Sequence, residues 1–238
     1  MVGNIMFFVM VPMVYLALAT CLVGVIAKII EVLRAPKHPH TLQIFPKRKA
    51  GQLAALSEAF AMPTVRKEKP VFWVVLMGFH AGILVLVLAH LDLLPLIEIM
   101  PADSPHMIGN GAVGVVVTLA VLYFLFRRIS SPVREVSVPA DYLLLFLLLL
   151  VFITGGTISW ANSWNQDGFV LTKQDFGSYL DGMVRFTFAD PAETLYGSHY
   201  IVIAVHVLLA NLFLMVLPFS KIMHTFFAVT LCRLRRTA

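Results

Sequence analysis

Five runs of about 20 apolar residues decide the fold class before any motif is read. They are Ile5–Ile30, Val71–Ile97, Met107–Phe126, Ala140–Trp160 and Tyr200–Phe219, the last expected to run on toward Phe227. A helix of that length spans about 30 Å, the thickness of a bilayer's hydrocarbon core. Lipid offers no hydrogen bonds, so each backbone group inside it must be satisfied within the segment, as a helix does. Hydrophobic residues make up 59% of the chain and charged residues 13%, with a mean hydropathy of +0.87. Soluble domains carry about a quarter charged residues. The expected fold is all-α: one integral membrane domain over residues 1–238, a bundle of five transmembrane helices. Met1–Met6 lacks the basic region of a secretion signal, so the first run is expected to stay as a helix.

Lysine and arginine set the expected orientation, because they concentrate in cytoplasmic connections. The connection at residues 31–70 holds Arg34, Lys37, Lys47, Arg48, Lys49, Arg66, Lys67 and Lys69. The turn after the third run holds Arg127, Arg128 and Arg134, and the tail holds Lys221, Arg233, Arg235 and Arg236. Between the second and third runs, Glu98–His106 holds none. The long connection at residues 161–199 holds only Lys173 and Arg185 among Asp167, Asp175, Asp181, Asp190 and Glu193. This alternation predicts the N-terminus outside and the C-terminus in the cytoplasm. It also accounts for the net charge of +5 through topology and anionic lipid headgroups, with no nucleic acid as partner. The two cysteines, Cys21 and Cys232, lie in different elements, and no C-x-x-C-H occurs. Covalent haem attachment and an iron–sulfur cluster of the chain's own are therefore not expected.

Histidine within an apolar run must be satisfied by a partner and marks a functional site by default. His80 and His90 lie in the second run; His206 lies in the fifth and His224 at its inner end. The second run is read from inside to outside and the fifth from outside to inside, so depth pairs His90 with His206 and His80 with His224. Ten residues rise about 15 Å, and eighteen rise about 27 Å if the helix is unbroken; tilt, or a bend at Pro218, absorbs the difference. Four depth-matched imidazoles on antiparallel helices suit two b-type haems, each held through its iron by two histidines. Any one of these histidines alone reads as an ordinary buried, hydrogen-bonded residue. His38 and His40 belong to the basic inner connection and read as solvated.

Weaker signals surround the outer pair. Asp92 is the acid best placed to accept a quinol proton. His106 and His199 lie at outer helix ends, as caps or facing a quinone, and His199 is the competitor to His206 as outer ligand. Gly155 and Gly156, with Thr154, Thr157, Ser159 and Trp160, let a helix or a flat cofactor approach closely. Thr172 and Asp175 form a variant capping box. Phe176, Tyr179, Leu180, Met183 and Val184 follow at helical spacing, predicting an amphipathic helix over the outer pair. Leu53, Leu56 and Phe60 predict a short inner helix that docks a cytoplasmic subunit or rests on the membrane.

The run Phe79-His80-Ala81-Gly82-Ile83-Leu84 with His90 resembles the haem-ligand helix of the membrane cytochrome b, or gamma, subunit of respiratory nitrate reductases. So does Pro218-Phe219-Ser220-Lys221-Ile222-Met223-His224 with His206 upstream, and so does Arg127-Arg128-Ile129-Ser130-Ser131-Pro132-Val133-Arg134 followed by Ala140-Asp141. The similarity runs from about Val71 to Thr225. It implies five helices with the N-terminus outside, haems ligated in the pairs above, and a prokaryotic cytoplasmic (inner) membrane. The inner connection is longer than in those subunits. It points toward related membrane cytochromes of sulfur metabolism, whose cytoplasmic iron–sulfur partners resemble heterodisulfide reductase. The lysine implicated in quinol binding in the nitrate reductase subunit has no counterpart here, since Leu91–Phe126 contains no Lys or Arg.

Three functions follow as expectations. In the first, a di-haem cytochrome b carries electrons between menaquinone or ubiquinone at the outer side and a cytoplasmic oxidoreductase subunit. In the second, a periplasmic cytochrome c feeds the same haems without a quinone. In the third, the histidines relay protons in a non-redox transporter; the absence of acidic or basic chains deep in the runs speaks against it.

Overall fold

The computed structural model describes residues 2–34, 52–94, 96–97, 99–100, 111–164, 173–195 and 200–237. His38, His40, His106, Asp167, Thr172 and His199 lie outside the described residues. The described chain is helical without strands. Its helices are α1 (Val2–Met10), α2 (Pro12–Arg34), α3 (Gln52–Phe60), α4 (Pro63–Glu68), α5 (Pro70–Asp92), α6 (Ala112–Ile129), α7 (Pro139–Trp164), α8 (Lys173–Val184), α9 (Tyr200–Val216) and α10 (His224–Thr237). Five helical stretches are long and apolar enough to cross a membrane: Val2–Arg34, Pro70–Asp92, Ala112–Ile129, Pro139–Trp160 and Tyr200–Phe219. Four helices (α2, α4, α5 and α7) begin on a proline, where the missing N–H costs nothing and the ring pre-sets φ.

The chain divides into two compact units: Met1–Thr20 with Gly78–Met215, and Cys21–Met77 with Val216–Ala238. In the first unit, a core of Met10, Val11, Met183, Leu195, Ile203 and Ala204 joins the α1–α2 corner, α8 and the start of α9. That corner is a proline break. Pro12 has no N–H to continue the α1 ladder, so carbonyls near Met10 need other donors. Asn211 Nδ2, buried on α9, donates to the Val9 carbonyl at 3.0 Å. The Tyr179 hydroxyl on α8 donates to the Met10 carbonyl at 2.5 Å. In return, the Tyr15 hydroxyl donates to the Met183 carbonyl at 2.7 Å.

The expected amphipathic helix is α8. Phe176, Tyr179 and Met183 face the core, while Val184 is exposed. The helix ends in a Schellman motif: Thr187 N–H donates to the Gly182 carbonyl at 3.0 Å and Phe186 N–H to Met183 at 3.3 Å. Phe186 holds the left-handed position with φ 57°, where glycine is usual. Stacking on Tyr15, with centroids 5.2 Å apart and planes at 13°, offsets a strain of about 1–2 kcal/mol.

Close approach elsewhere in this unit depends on missing side chains. A Cβ at Gly82 would lie 2.5 Å from Val117 Cγ1, so α5 and α6 meet at that glycine. A Cβ at Gly114 would lie 3.9 Å from the Gly156 Cα, which brings α6 against α7. The α6–α7 turn is pinned by Arg128, whose Nη1 meets the buried Asp141 Oδ2 at 2.8 Å. Asp141 also accepts from Val138 N–H at 3.2 Å, and the Tyr142 hydroxyl donates to the Arg128 carbonyl at 2.8 Å. The Arg-Arg-Ile-Ser-Ser-Pro signature is thus the frame of a turn.

In the second unit α3 packs along α10. Ala55 is the buried position of α3, whereas Leu53 and Phe60 are exposed. Trp73 Nε1 donates to the Ala61 carbonyl at 2.7 Å, and the Arg66 guanidinium lies 5.4 Å from the Trp73 ring centre. A Cβ at Gly24 would lie 2.6 Å from Pro218 Cβ, so the proline of the Pro-Phe-Ser-Lys run seats on a glycine of α2. The regular helix expected to continue toward Phe227 instead gives way after Val216 to two 3-10 turns, Leu217–Phe219 and Lys221–Met223. Pro218 cannot donate to the ladder. Ser220 Oγ accepts from Ile222 N–H at 3.2 Å and donates to the Leu217 carbonyl at 2.8 Å. The rise calculated for an unbroken helix between His206 and His224 therefore does not apply.

Candidate functional site

His90, near the end of α5, and His206, on α9, are brought together in the first unit. Their ring centroids are 6.5 Å apart and their planes differ by 23°. A histidine nitrogen bonds a metal at about 2 Å, with the ring centre about 1 Å behind it. Two imidazoles sharing one metal therefore have centres about 6 Å apart, and the observed spacing fits. Two such ligands suffice for a metal that brings its remaining ligands with it, as haem iron does.

The second nitrogen of each ring is engaged. His90 Nδ1 lies 2.7 Å from the Leu86 carbonyl, which only accepts, so Nδ1 carries the proton there. His206 Nδ1 lies 3.0 Å from Thr154 Oγ1. The Thr154 hydroxyl is 2.8 Å from the Leu150 carbonyl and 3.0 Å from that of Val151. A hydroxyl has one proton. Given to its own helix, it leaves Thr154 Oγ1 to accept from His206 Nδ1–H. Both rings then hold Nε2 as a free electron-pair donor, the form in which imidazole binds a metal.

Gly155 makes room for this arrangement. A Cβ there would stand 3.1 Å from His206 Cε1 and 3.6 Å from Nδ1, so the ring lies against bare helix backbone. Gly156, expected with Gly155 to let a helix or a flat cofactor such as a quinone approach, has no atom within 4 Å of where its Cβ would be. Ser159 Oγ accepts from Gly111 N–H at 3.2 Å, a helix-end contact. Asp92 is buried, and its Oδ1 accepts from Ile99 N–H at 2.7 Å and Met100 N–H at 3.0 Å. This carboxylate shapes the chain leaving α5. His106 and His199, the remaining quinone candidates, lie outside the described residues.

His80 is exposed on α5 in the same unit, with the Phe79 ring edge-on at 5.5 Å. Phe79 contacts Phe124 at 5.4 Å and Phe152 at 6.3 Å, which fixes the rotation of α5 where His80 emerges. His224 belongs to the second unit. It opens α10, and its Nδ1 lies 2.8 Å from the Lys221 carbonyl. That carbonyl only accepts, so Nδ1 carries the proton there, as it does in His90.

Asn211, which donates to the Val9 carbonyl, was not among the expected functional residues, although an asparagine inside an apolar run was its signal. Thr154 and Gly155 read in sequence as small residues at a helix end; only the fold brings both against His206.

A family model described as nitrate reductase gamma subunit matches residues 65–237. A curated relative from Archaeoglobus profundus, named Hdr-like menaquinol oxidoreductase cytochrome b-like subunit, is 24% identical over 169 residues. That match covers 64% of this chain and 46% of the relative, so the chain matches about half of that protein's length.

Proposed function

The chain belongs to the nitrate reductase gamma subunit family, and from that premise we propose that it is a di-haem membrane cytochrome b. In this reading it links menaquinol at the outer side of a prokaryotic inner membrane to a cytoplasmic, heterodisulfide-reductase-like iron–sulfur subunit. The observation that carries the proposal is the His90–His206 pair: near-parallel rings 6.5 Å apart, each with Nδ1 engaged. The name of the archaeal relative supports the choice of menaquinol and partner.

Bound haem b supplies one-electron transfer; the protein supplies position and tuning. His90 and His206 hold one haem; His80 and His224 hold the other. The Leu86 and Lys221 carbonyls keep the rings of His90 and His224 protonated at Nδ1. Asp92, His106, Gly156 and His199 remain the candidates on the quinone side, Asp92 also organising the chain beyond α5.

The test is a haem count with a reduced-minus-oxidised spectrum of the purified chain. Two acid–acetone-extractable haems per chain are expected, both low-spin. His90→Ala or His206→Ala should each remove one and spare the other, and His80→Ala or His224→Ala should do the converse. A single haem per chain overturns the reading. If His199→Ala removes the outer haem and His206→Ala does not, the ligand on α9 is wrong.

A further inference from the structure

His206 Nδ1 meets a side chain from another helix, the Thr154 hydroxyl. His90 and His224 use main-chain carbonyls three or four residues away, which any sequence would provide. Thr154 lies on α7, 52 positions from His206. The contact is therefore specified by residue type, and the neighbouring glycine carries the ring on bare backbone. Together they determine which nitrogen of His206 bears the proton and how far the ring can turn.

We propose that Thr154 is a positioning residue for the His90–His206 site. Its hydroxyl accepts the His206 Nδ1–H, commits Nε2 to the metal, and holds the potential of the bound haem down, while Gly155 sets the rotation of the ring. This rests on the proposal that His90 and His206 are haem ligands. The physical basis is that donating Nδ1–H makes an imidazole more basic at Nε2, and a more basic ligand favours the oxidised metal. The Thr154 proton goes to the Leu150 carbonyl, so the acceptor is fixed in orientation as well as place. Valine is close to threonine in shape and keeps the packing but removes the acceptor.

The experiment compares Thr154→Val, Thr154→Ser and Gly155→Ala in the full-length, haem-loaded protein by redox titration and low-temperature electron paramagnetic resonance. Thr154→Val should move the outer haem about tenfold toward the reduced form at a given potential, or about 59 mV for one electron. The other haem should not move. Thr154→Ser, which restores the hydroxyl, should titrate as wild type. Gly155→Ala should leave the potential closer to wild type but shift the low-spin signal, because the new methyl forces the ring to turn. If Thr154→Val retains its haem with unchanged potential and signal, the proposal is wrong. If Thr154→Val loses the outer haem altogether, Thr154→Ser decides: retention supports the hydroxyl role, and loss overturns it. His206→Ala separates this from the parent reading. Should that variant keep both haems, the ligand assignment itself fails; should it lose one while Thr154→Val is silent, only the positioning role fails.

Discussion

An imidazole offers two nitrogens, and the partner of one decides what the other can do. At His90 and His224 a main-chain carbonyl takes Nδ1–H, and at His206 Nδ1 lies against the Thr154 hydroxyl. The same logic of satisfying polar groups away from water governs Tyr179. Its hydroxyl donates to the Met10 carbonyl at the Pro12 break, and burial pushes its pKa up, with the nearby Tyr200 and Tyr15 adding to the rise. A raised pKa means that the folded state holds this proton more tightly than the unfolded chain does. The stabilisation is therefore complete below the unfolded value near pH 10 and is lost as pH rises beyond it. Tyr179→Phe should destabilise the detergent-solubilised protein by about 1–2 kcal/mol at neutral pH and flatten the loss of stability above about pH 10. Thermal unfolding followed from neutral to alkaline pH checks both. An unchanged alkaline slope would assign that loss to another group.

At the scale of elements, Gly82 shows what the Phe-His-Ala-Gly run is for. His80 and Gly82 occupy different faces of α5, one exposed and one buried, so the histidine is presented only if the glycine admits α6. Alanine would place a methyl 2.5 Å from Val117 Cγ1, and Val117 is fully buried with a stiff, branched side chain. Gly82→Ala should therefore cost about 1–3 kcal/mol, even though alanine favours a helix by about 1 kcal/mol. Adding Val117→Ala should recover much of the loss, and a double-mutant cycle measured by thermal unfolding reads that coupling directly. Additive losses would mean that α5 and α6 do not meet there. The five long helices were legible because 20 apolar residues allow little else in lipid. The amphipathic α8 was legible because Phe176, Tyr179 and Met183 repeat at helical spacing. The break at Pro12 was not, since it falls inside one apolar run and is compensated by Asn211 and Tyr179, which are remote in sequence. The break after Val216 was half legible: Pro218 announced a bend, but two 3-10 turns capped by Ser220 need the fold to be seen. The closeness of His90 and His206 followed from matching depths along two helices. The part played by Thr154 did not, because no periodicity links α7 to α9.

For the whole molecule, charge is the one signal that assigns sides, and its contributions add. Of 18 Lys and Arg residues, all but Lys28, Lys173 and Arg185 fall in the 31–70 connection, the α6–α7 turn and the segment from Lys221 onward. Each basic residue near an anionic inner leaflet contributes about 1 kcal/mol. A contrast of eight in residues 31–70 against none in Glu98–His106 therefore outweighs any single residue. Arg128 is partly spent on Asp141, but losing one charge from such a total leaves the sign unchanged. Five crossings put the two termini on opposite sides. Reporter fusions should accordingly place Ala238 and the 31–70 connection in the cytoplasm and Lys173 outside. Moving the basic residues should weaken that outcome: replacing Lys47, Arg48 and Lys49 with glutamine should yield a mixed population before any other segment is altered. A periplasmic signal from the Ala238 fusion of the unaltered chain would reverse the orientation. It would exchange the inner and outer labels of the two histidine pairs and move the proposed quinol side to the opposite face, while leaving the 6.5 Å pairing of His90 with His206 untouched.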